Sequence, residues 1–129
     1  MPVALTCIAL LGLLLIGLGN AVSFTRRNTK TIIGNSPDPT DRLHKLVRAH
    51  GNTAEYAPML AVLMLALALR EPAAWVLWCM GLATLSRYVI ALGLVAGPSL
   101  AKANPLRFVG ALVTYWTGFA LCAALLLGL

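Results

Sequence analysis

The sequence predicts an all-α integral membrane protein built as a four-helix bundle. Of the 129 residues, 60% are hydrophobic and only 11% are charged, whereas soluble domains carry about 25% charged residues. Long apolar stretches are separated by short polar breaks containing Gly or Pro, which predicts helices at about 3–25, 42–70, 73–96 and 105–129. Lys and Arg are concentrated in alternate connections, as in membrane proteins with a fixed orientation. We therefore expect one transmembrane domain over residues 1–129, with a cytoplasmic loop at 26–41.

The basic residues give this bundle its predicted orientation. Six of the ten Lys and Arg residues fall within residues 26–48, and Lys102 and Arg107 lie at the next connection on the same side. Cytoplasmic loops are enriched in Lys and Arg, so both connections are predicted to be cytoplasmic and both termini non-cytoplasmic. The first segment has no charge before Arg26, unlike a signal peptide, and is expected to be a retained helix. The net charge of +6 then reflects membrane orientation, and no nucleic-acid partner is expected.

Helix 2 carries polar side chains at a depth where a membrane is apolar. Its apolar part, residues 57–69, is 13 residues long, whereas crossing a bilayer core takes about 20. The helix spans only by including the polar residues that precede this part. Arg48, Asn52 and Glu55 share one helix face at i, i+4 and i+7, with Tyr56 beside it. Ionisable groups at this depth are costly and face a bundle interior or a wet cavity, so they indicate a functional site.

Helix 3 contains one charge, Arg87, at nearly the same predicted depth as Glu55. An unpaired charge in hydrocarbon costs several kcal/mol, so the two residues are predicted to form an ion pair. Such a pair has a purely structural interpretation, in which it only fastens helix 2 to helix 3. In the functional interpretation, Arg48 and Arg87 both lie near the Glu55 carboxylate. One carboxylate cannot neutralise two arginines, and an anionic ligand balances the remaining positive charge.

Arginines at the ends of helices 1 and 4 also have two interpretations. Arg26 and Arg27 close helix 1, and Arg107 lies in the first turn of helix 4, after Asn104-Pro105. Each of the three arginines either anchors its helix at the lipid headgroups or points inward to hold an anionic ligand. Farther along helix 4, Tyr115 and Trp116 lie mid-span, where we expect them to pack between helices.

The cysteines and histidines do not indicate a metal or redox site. Cys7, Cys79 and Cys122 lie in apolar runs without a CxxC spacing and are expected to be small buried hydrophobic residues. His44 and His50 have no nearby cysteine or second carboxylate, so we expect no metal.

The segment Arg48-Ala49-His50-x-Asn52-x-x-Glu55-Tyr56-x-Pro58 resembles the helix 2 signature of a known family, the membrane-associated proteins in eicosanoid and glutathione metabolism (MAPEG). The helix 3 arginine, Arg87, and the helix 4 start, Asn104-Pro105-Leu106-Arg107, extend the similarity over residues 40–120. The resemblance is to a bacterial type of member. It implies a homotrimer of four-helix subunits in a bacterial inner membrane, with glutathione bound in clefts between subunits near the cytoplasmic face.

The resemblance also implies roles for individual residues. Arg107 matches the arginine that stabilises the glutathione thiolate. Arg26 or Arg27 corresponds, less closely, to a helix 1 arginine that holds a glutathione carboxylate. The residues that would hold the rest of the tripeptide lie on helices 2 and 3: Arg48, His50, Asn52, Glu55, Tyr56 and Arg87.

The function implied by the resemblance is a glutathione-dependent membrane transferase or peroxidase acting on lipophilic electrophiles. One alternative is a non-catalytic protein of the same fold that binds an anionic or lipid ligand. Another is a small four-helix exporter, which is disfavoured because Glu55 is expected to be locked between arginines. The chain departs from eicosanoid-forming members, which carry a tyrosine where this chain has Leu94. Tyr88 points about 100° away from Arg87 and does not replace that tyrosine, so the resemblance does not imply a leukotriene-like or prostaglandin-like reaction.

Overall fold

The computed structural model describes residues 1–129, and the predicted all-α fold is confirmed. It contains four α-helices, α1 (Pro2–Thr29), α2 (Arg42–Ala68), α3 (Ala74–Val95) and α4 (Pro105–Leu127). The largest difference from the predicted bounds is at α1, which continues to Thr29 through residues expected to be loop. Lys30 then ends the helix in a left-handed conformation, and its N–H bonds the carbonyls of Arg26 and Arg27. Leaving the membrane changes residue polarity but does not break a helix, and basic side chains favour a helix C-terminus.

Three of the four helices, α1, α3 and α4, are long and apolar enough to cross a membrane. With 27 residues, α2 is about 40 Å long, but its first half is polar. Large apolar side chains cover the outside of the bundle. Ile16 on α1 and Phe119 on α4, for example, are 73% and 74% exposed. A surface of this kind is stable in lipid rather than in water.

Neighbouring helices run antiparallel around one main core. Met64 and Leu67 of α2 pack there with Leu11 of α1, Met80 of α3 and Leu121 of α4. A smaller cluster joins the end of α1 to the start of α2 through Val22, Leu43 and Leu46. The core therefore lies toward the end of the bundle opposite the α1–α2 connection, and the polar half of α2 lies beyond it.

Helices α3 and α4 approach each other closely beside the polar half of α2. A Cβ added at Gly110 would lie 2.5 Å from Cγ1 of Ile90 and 3.1 Å from the Ser86 carbonyl oxygen. One helix turn away, a Cβ at Gly93 would lie 3.1 Å from Cγ of Arg107. The four-residue spacing of Gly93 and Gly97 permits a close helix contact, and Gly93 makes one with the first turn of α4.

We expect Gly110→Ala to lower the free energy of unfolding by about 1–3 kcal/mol, because the added methyl group overpacks the α3–α4 contact. Gly17→Ala is the matched control, since a Cβ at Gly17 has no neighbour within 4 Å. Thermal unfolding in detergent measures both variants. Equal melting temperatures for the two variants would contradict the close approach at Gly110.

The two connections at the polar end of the bundle are joined to each other. The Leu100 N–H donates to the Pro39 carbonyl over 2.9 Å, and Lys45 Nζ donates to the Gly97 carbonyl over 3.2 Å. Asp41 caps α2 by accepting the His44 N–H over 2.8 Å. In the same loop, hydrogen bonds from the Thr40 backbone N–H and then its hydroxyl lower the pKa of the Asp38 carboxyl below its ordinary value. The hydrogen bonds from Leu100 to Pro39 and from Lys45 to Gly97 hold residues 97–104 across the end of the bundle.

Candidate functional site

A cavity of about 780 Å³ lies between α2, α3 and α4, under the 97–104 connection. Its volume is in the range typical of small-molecule sites, about 300–1,000 Å³. The lining contains backbone and side chains from all three helices. The predicted site residues that it brings together are Arg48, Asn52, Tyr56, Arg87 and Arg107.

Arg87 is the best-anchored charge in this cavity. The residue is 1% exposed, and its Nη2 donates to the Asn52 backbone carbonyl over 2.9 Å and to the Asn52 side-chain oxygen. Its guanidinium carbon lies 4.7 Å from the centre of the Tyr56 ring, which gives a cation–π contact. Its Nε has no hydrogen-bond partner. The guanidinium is therefore fixed by a neutral amide, a carbonyl and an aromatic face.

The predicted ion pair between Glu55 and Arg87 is replaced by these hydrogen bonds to Asn52. Asn52 lies on the part of α2 that faces α3, whereas Glu55 is exposed and lines a neighbouring groove. A neutral amide and a carbonyl can satisfy a buried guanidinium without the cost of desolvating a carboxylate. The expectation that Glu55 is locked between arginines is wrong.

The cavity lining is strongly positive as a result. It contains the four basic residues Arg48, Arg87, Lys102 and Arg107 and no acidic residue. Arg107 is placed by two features: Asn104 caps α4 by accepting the Leu106 N–H over 2.9 Å, and Arg107 Nη1 donates to the Leu100 carbonyl over 3.0 Å. Unbalanced cations in a partly enclosed cavity attract an anionic ligand.

The remaining predicted binding residues lie outside this cavity in the single chain. His50 faces α1, where its Nε2 would be 3.2 Å from a Cβ at Gly19, because two residues along a helix turn a side chain by about 200° from Arg48. Arg26 is half-buried and donates to the Gly34 carbonyl over 3.4 Å, while Arg27 is exposed. These residues belong to the α1 side of the bundle.

The profile of one protein family matches residues 4–127, which is nearly the whole chain, and the family is described as the MAPEG family. The chain belongs to the MAPEG family. No curated protein and no solved structure matches it. The match extends the similarity beyond residues 40–120 to all four helices. Glu55 is not held between arginines, so that argument against a small four-helix exporter no longer applies. Membership of the MAPEG family is the argument that disfavours an exporter. MAPEG proteins are in general associated with glutathione.

Two residues of the MAPEG chain's site were not predicted from the sequence: Lys102, which was used only for the membrane orientation, and Tyr115. The Tyr115 hydroxyl lies 3.1 Å from the Tyr56 hydroxyl, and the two ring centres are 6.0 Å apart. Tyr115 and Trp116 were expected to pack between helices. The Tyr115 hydroxyl does so by its contact with Tyr56, but Trp116 is 71% exposed. A spacing signal was present: Thr114 lies seven residues after Arg107, so it shares a helix face with Arg107, and Tyr115 lies beside it.

A second cavity of about 260 Å³ continues from the first along α2 and α4. It is mostly apolar, with Glu55 at its edge. Tyr56, Thr114 and Tyr115 line both cavities and so form their boundary. The MAPEG chain thus presents a polar cationic cavity and an apolar groove that meet at Tyr56, Thr114 and Tyr115.

The cysteines and Tyr88 occupy positions away from the cationic cavity. Cys7 is buried as predicted, but Cys79 is half-buried and Cys122 is exposed in the apolar groove, because that face of α4 points outward. Tyr88 donates its hydroxyl to the Leu10 carbonyl of α1 over 2.8 Å and therefore fastens α3 to α1. No group of three or more His, Cys, Asp or Glu side chains is placed to hold a metal ion.

Proposed function

We propose that this MAPEG protein is a glutathione-dependent membrane transferase or peroxidase that acts on lipophilic electrophiles. The observation that carries the proposal is the cavity with four basic residues, no acid and the Asn52 amide. Glutathione offers two carboxylates to arginines and amides to Asn52. Guanidinium groups bind carboxylates in a fixed bidentate geometry, so the cavity is chemically matched to the tripeptide.

Arg107 is the residue we propose for activation of the thiol. A thiol with a free pKa of about 8.5 is a poor nucleophile at neutral pH until a nearby cation lowers that pKa. Arg107 lines the cavity at the first turn of α4, where Asn104 and the Leu100 carbonyl hold it. An apolar electrophile would enter from the bilayer and meet the sulfur at close range, so much of the rate gain would come from proximity.

The proposal includes an assembly. Arg26, Arg27, His50 and Glu55 lie on surfaces outside the cationic cavity, and we propose that a homotrimer brings such surfaces of neighbouring subunits to one glutathione. Glu55 would then bind the ammonium group of the tripeptide. We further propose that α2 crosses the bilayer with the other helices, that residues 1–129 form a single transmembrane domain, and that it lies in a bacterial inner membrane with both termini non-cytoplasmic.

Millimolar glutathione is expected to raise the melting temperature of the detergent-solubilised protein, since a ligand at about 100 times its Kd stabilises the folded state by about 2.7 kcal/mol. Arg48→Gln should remove most of this stabilisation, because Arg48 lines the cationic cavity. Arg42→Gln is the matched control: Arg42 is also exposed on α2 but lines neither cavity. No stabilisation of the wild-type protein by glutathione would contradict the proposal.

A second candidate function is non-catalytic binding of an anionic or lipid ligand. Two contacts favour it: the Arg107 guanidinium already donates to the Leu100 and Lys102 carbonyls, over 3.0 and 3.4 Å. A guanidinium held by two carbonyls is less free to act on a thiol. Glutathione binding without turnover of any electrophile would favour this candidate over the enzyme.

A further inference from the structure

We propose that the Tyr115 hydroxyl is the acid that protonates the oxygen released from the electrophile. Such an acid serves those lipophilic electrophiles whose leaving atom is oxygen, namely epoxides and hydroperoxides. This inference rests on the proposed glutathione chemistry and adds to it a catalytic residue on α4. Three observations carry it: the place of Tyr115 between the cavities, the freedom of its hydroxyl, and the charge beside its partner.

Tyr115 lies at the boundary between the cationic cavity and the apolar groove, and both Tyr115 and Tyr56 line the two cavities. Glutathione in the first cavity would direct its sulfur toward this boundary. The body of an apolar electrophile in the second cavity would direct its reacting oxygen toward the same boundary. A proton donor for that oxygen has to lie within hydrogen-bond reach of this point.

The Tyr115 hydroxyl makes no hydrogen bond to the backbone, in contrast to the Thr114 and Tyr88 hydroxyls nearby. Thr114 bonds the Gly110 carbonyl over 2.8 Å, and Tyr88 bonds the Leu10 carbonyl. The Tyr115 hydroxyl has the Tyr56 hydroxyl as its hydrogen-bond partner, and the residue is 49% exposed. A substrate oxygen can therefore reach it without breaking a bond to the protein backbone.

A buried cation lies beside the pair. The Arg87 guanidinium lies 4.7 Å from the Tyr56 ring centre, and Tyr56 is hydrogen-bonded to Tyr115. A fixed cation close to a pair of phenols stabilises the negative charge that forms when one of them gives up its proton. Arg87 is buried and anchored by Asn52, so it does not need to move during the reaction.

The chemical step balances for both substrate classes. With an epoxide, the thiolate sulfur attacks a ring carbon, a C–S bond forms, the C–O bond breaks, and the alkoxide takes the Tyr115 proton. With a hydroperoxide, the sulfur attacks the terminal oxygen, the O–O bond breaks, and the alkoxide takes the same proton to give an alcohol. The resulting sulfenic acid reacts with a second glutathione to give the disulfide and water. Tyr115 regains a proton from solvent through Tyr56.

The test compares Tyr115→Phe with the wild-type protein on three probes. Styrene oxide and cumene hydroperoxide release oxygen, whereas chlorodinitrobenzene releases chloride, which needs no proton. We expect kcat on the first two probes to fall by about 100-fold or more, which is typical for loss of a general acid. The chlorodinitrobenzene rate should change by no more than about twofold, since no proton is transferred to chloride. Trp116→Phe, at an exposed position that lines neither cavity, is the matched control.

Each outcome separates this inference from the proposed function. A wild-type protein that converts none of the three probes overturns both. An active wild-type protein whose Tyr115→Phe variant loses all three rates equally, or none, overturns only the role of Tyr115. A second variant, Tyr56→Phe, guards against misfolding of the first: it should also lower the ratio of the epoxide rate to the chlorodinitrobenzene rate, because Tyr115 then lacks its proton relay.

Discussion

Asn52→Ala is expected to lower the free energy of unfolding by about 1.5–3 kcal/mol, the range measured for hydrogen bonds to charged groups. The substitution removes the side-chain oxygen that accepts from Arg87 and leaves a buried guanidinium with one carbonyl, besides its unpartnered Nε. The matched control is Asn20→Ala on α1, where the asparagine is exposed. Unfolding of the detergent-solubilised protein by heat or denaturant measures the difference.

A double-mutant cycle makes this prediction specific to the contact. Arg87→Met removes the charge that needs Asn52, so adding Asn52→Ala to it should cost much less than Asn52→Ala alone. Asn52→Asp should retain most of the stability, because a carboxylate can accept the same hydrogen bond from Arg87. Additive effects of Asn52→Ala and Arg87→Met would show that water in the cavity, rather than Asn52, solvates the guanidinium.

The Arg87 contact also shows how far sequence reasoning reaches. Depth along two antiparallel helices correctly brings Arg87 level with the polar part of α2. Helix rotation decides which side chain it meets, and Asn52 and Glu55 are only three residues apart. Charge favours Glu55 as the partner, whereas the packing of α2 on α3 directs Asn52 inward and leaves Glu55 exposed. Charge alone therefore does not settle the partners of a buried arginine.

The helices themselves were predictable because their signals are local. Asp41 at the start of α2 and Asn104-Pro105 at the start of α4 are caps that act within one turn, and both caps form. The Tyr56–Tyr115 pair depends on the packing of α2 against α4, between residues 59 positions apart. Only the packed bundle brings these hydroxyls together. The spacing from Arg107 could place Tyr115 beside the helix face of Arg107, but it could not place Tyr115 next to Tyr56.

Arg107→Leu is expected to lower kcat for glutathione conjugation by about 100- to 1,000-fold, as for removal of one preorganised charge-stabilising donor. Without this cation the bound thiol should titrate near its free pKa of about 8.5. The pH–rate profile should therefore shift to higher pH, and the ultraviolet absorbance of the bound thiolate should disappear at neutral pH. Arg107→Lys should retain part of the rate, since it keeps a charge but loses the planar fork.

The control for this variant is Arg70→Leu at the other end of the bundle. Arg70 Nη1 donates to the Leu125 carbonyl over 3.2 Å, much as Arg107 Nη1 donates to the Leu100 carbonyl over 3.0 Å. Both substitutions remove one positive charge and a bond to a backbone carbonyl, and Arg107→Leu also removes a longer bond of 3.4 Å to the Lys102 carbonyl, so their effects on stability should be similar. Of these two arginines, only Arg107 lines the cationic cavity. If both variants lose conjugation equally, the loss reflects weakened packing of α4, and Arg107 has no special role toward the thiol.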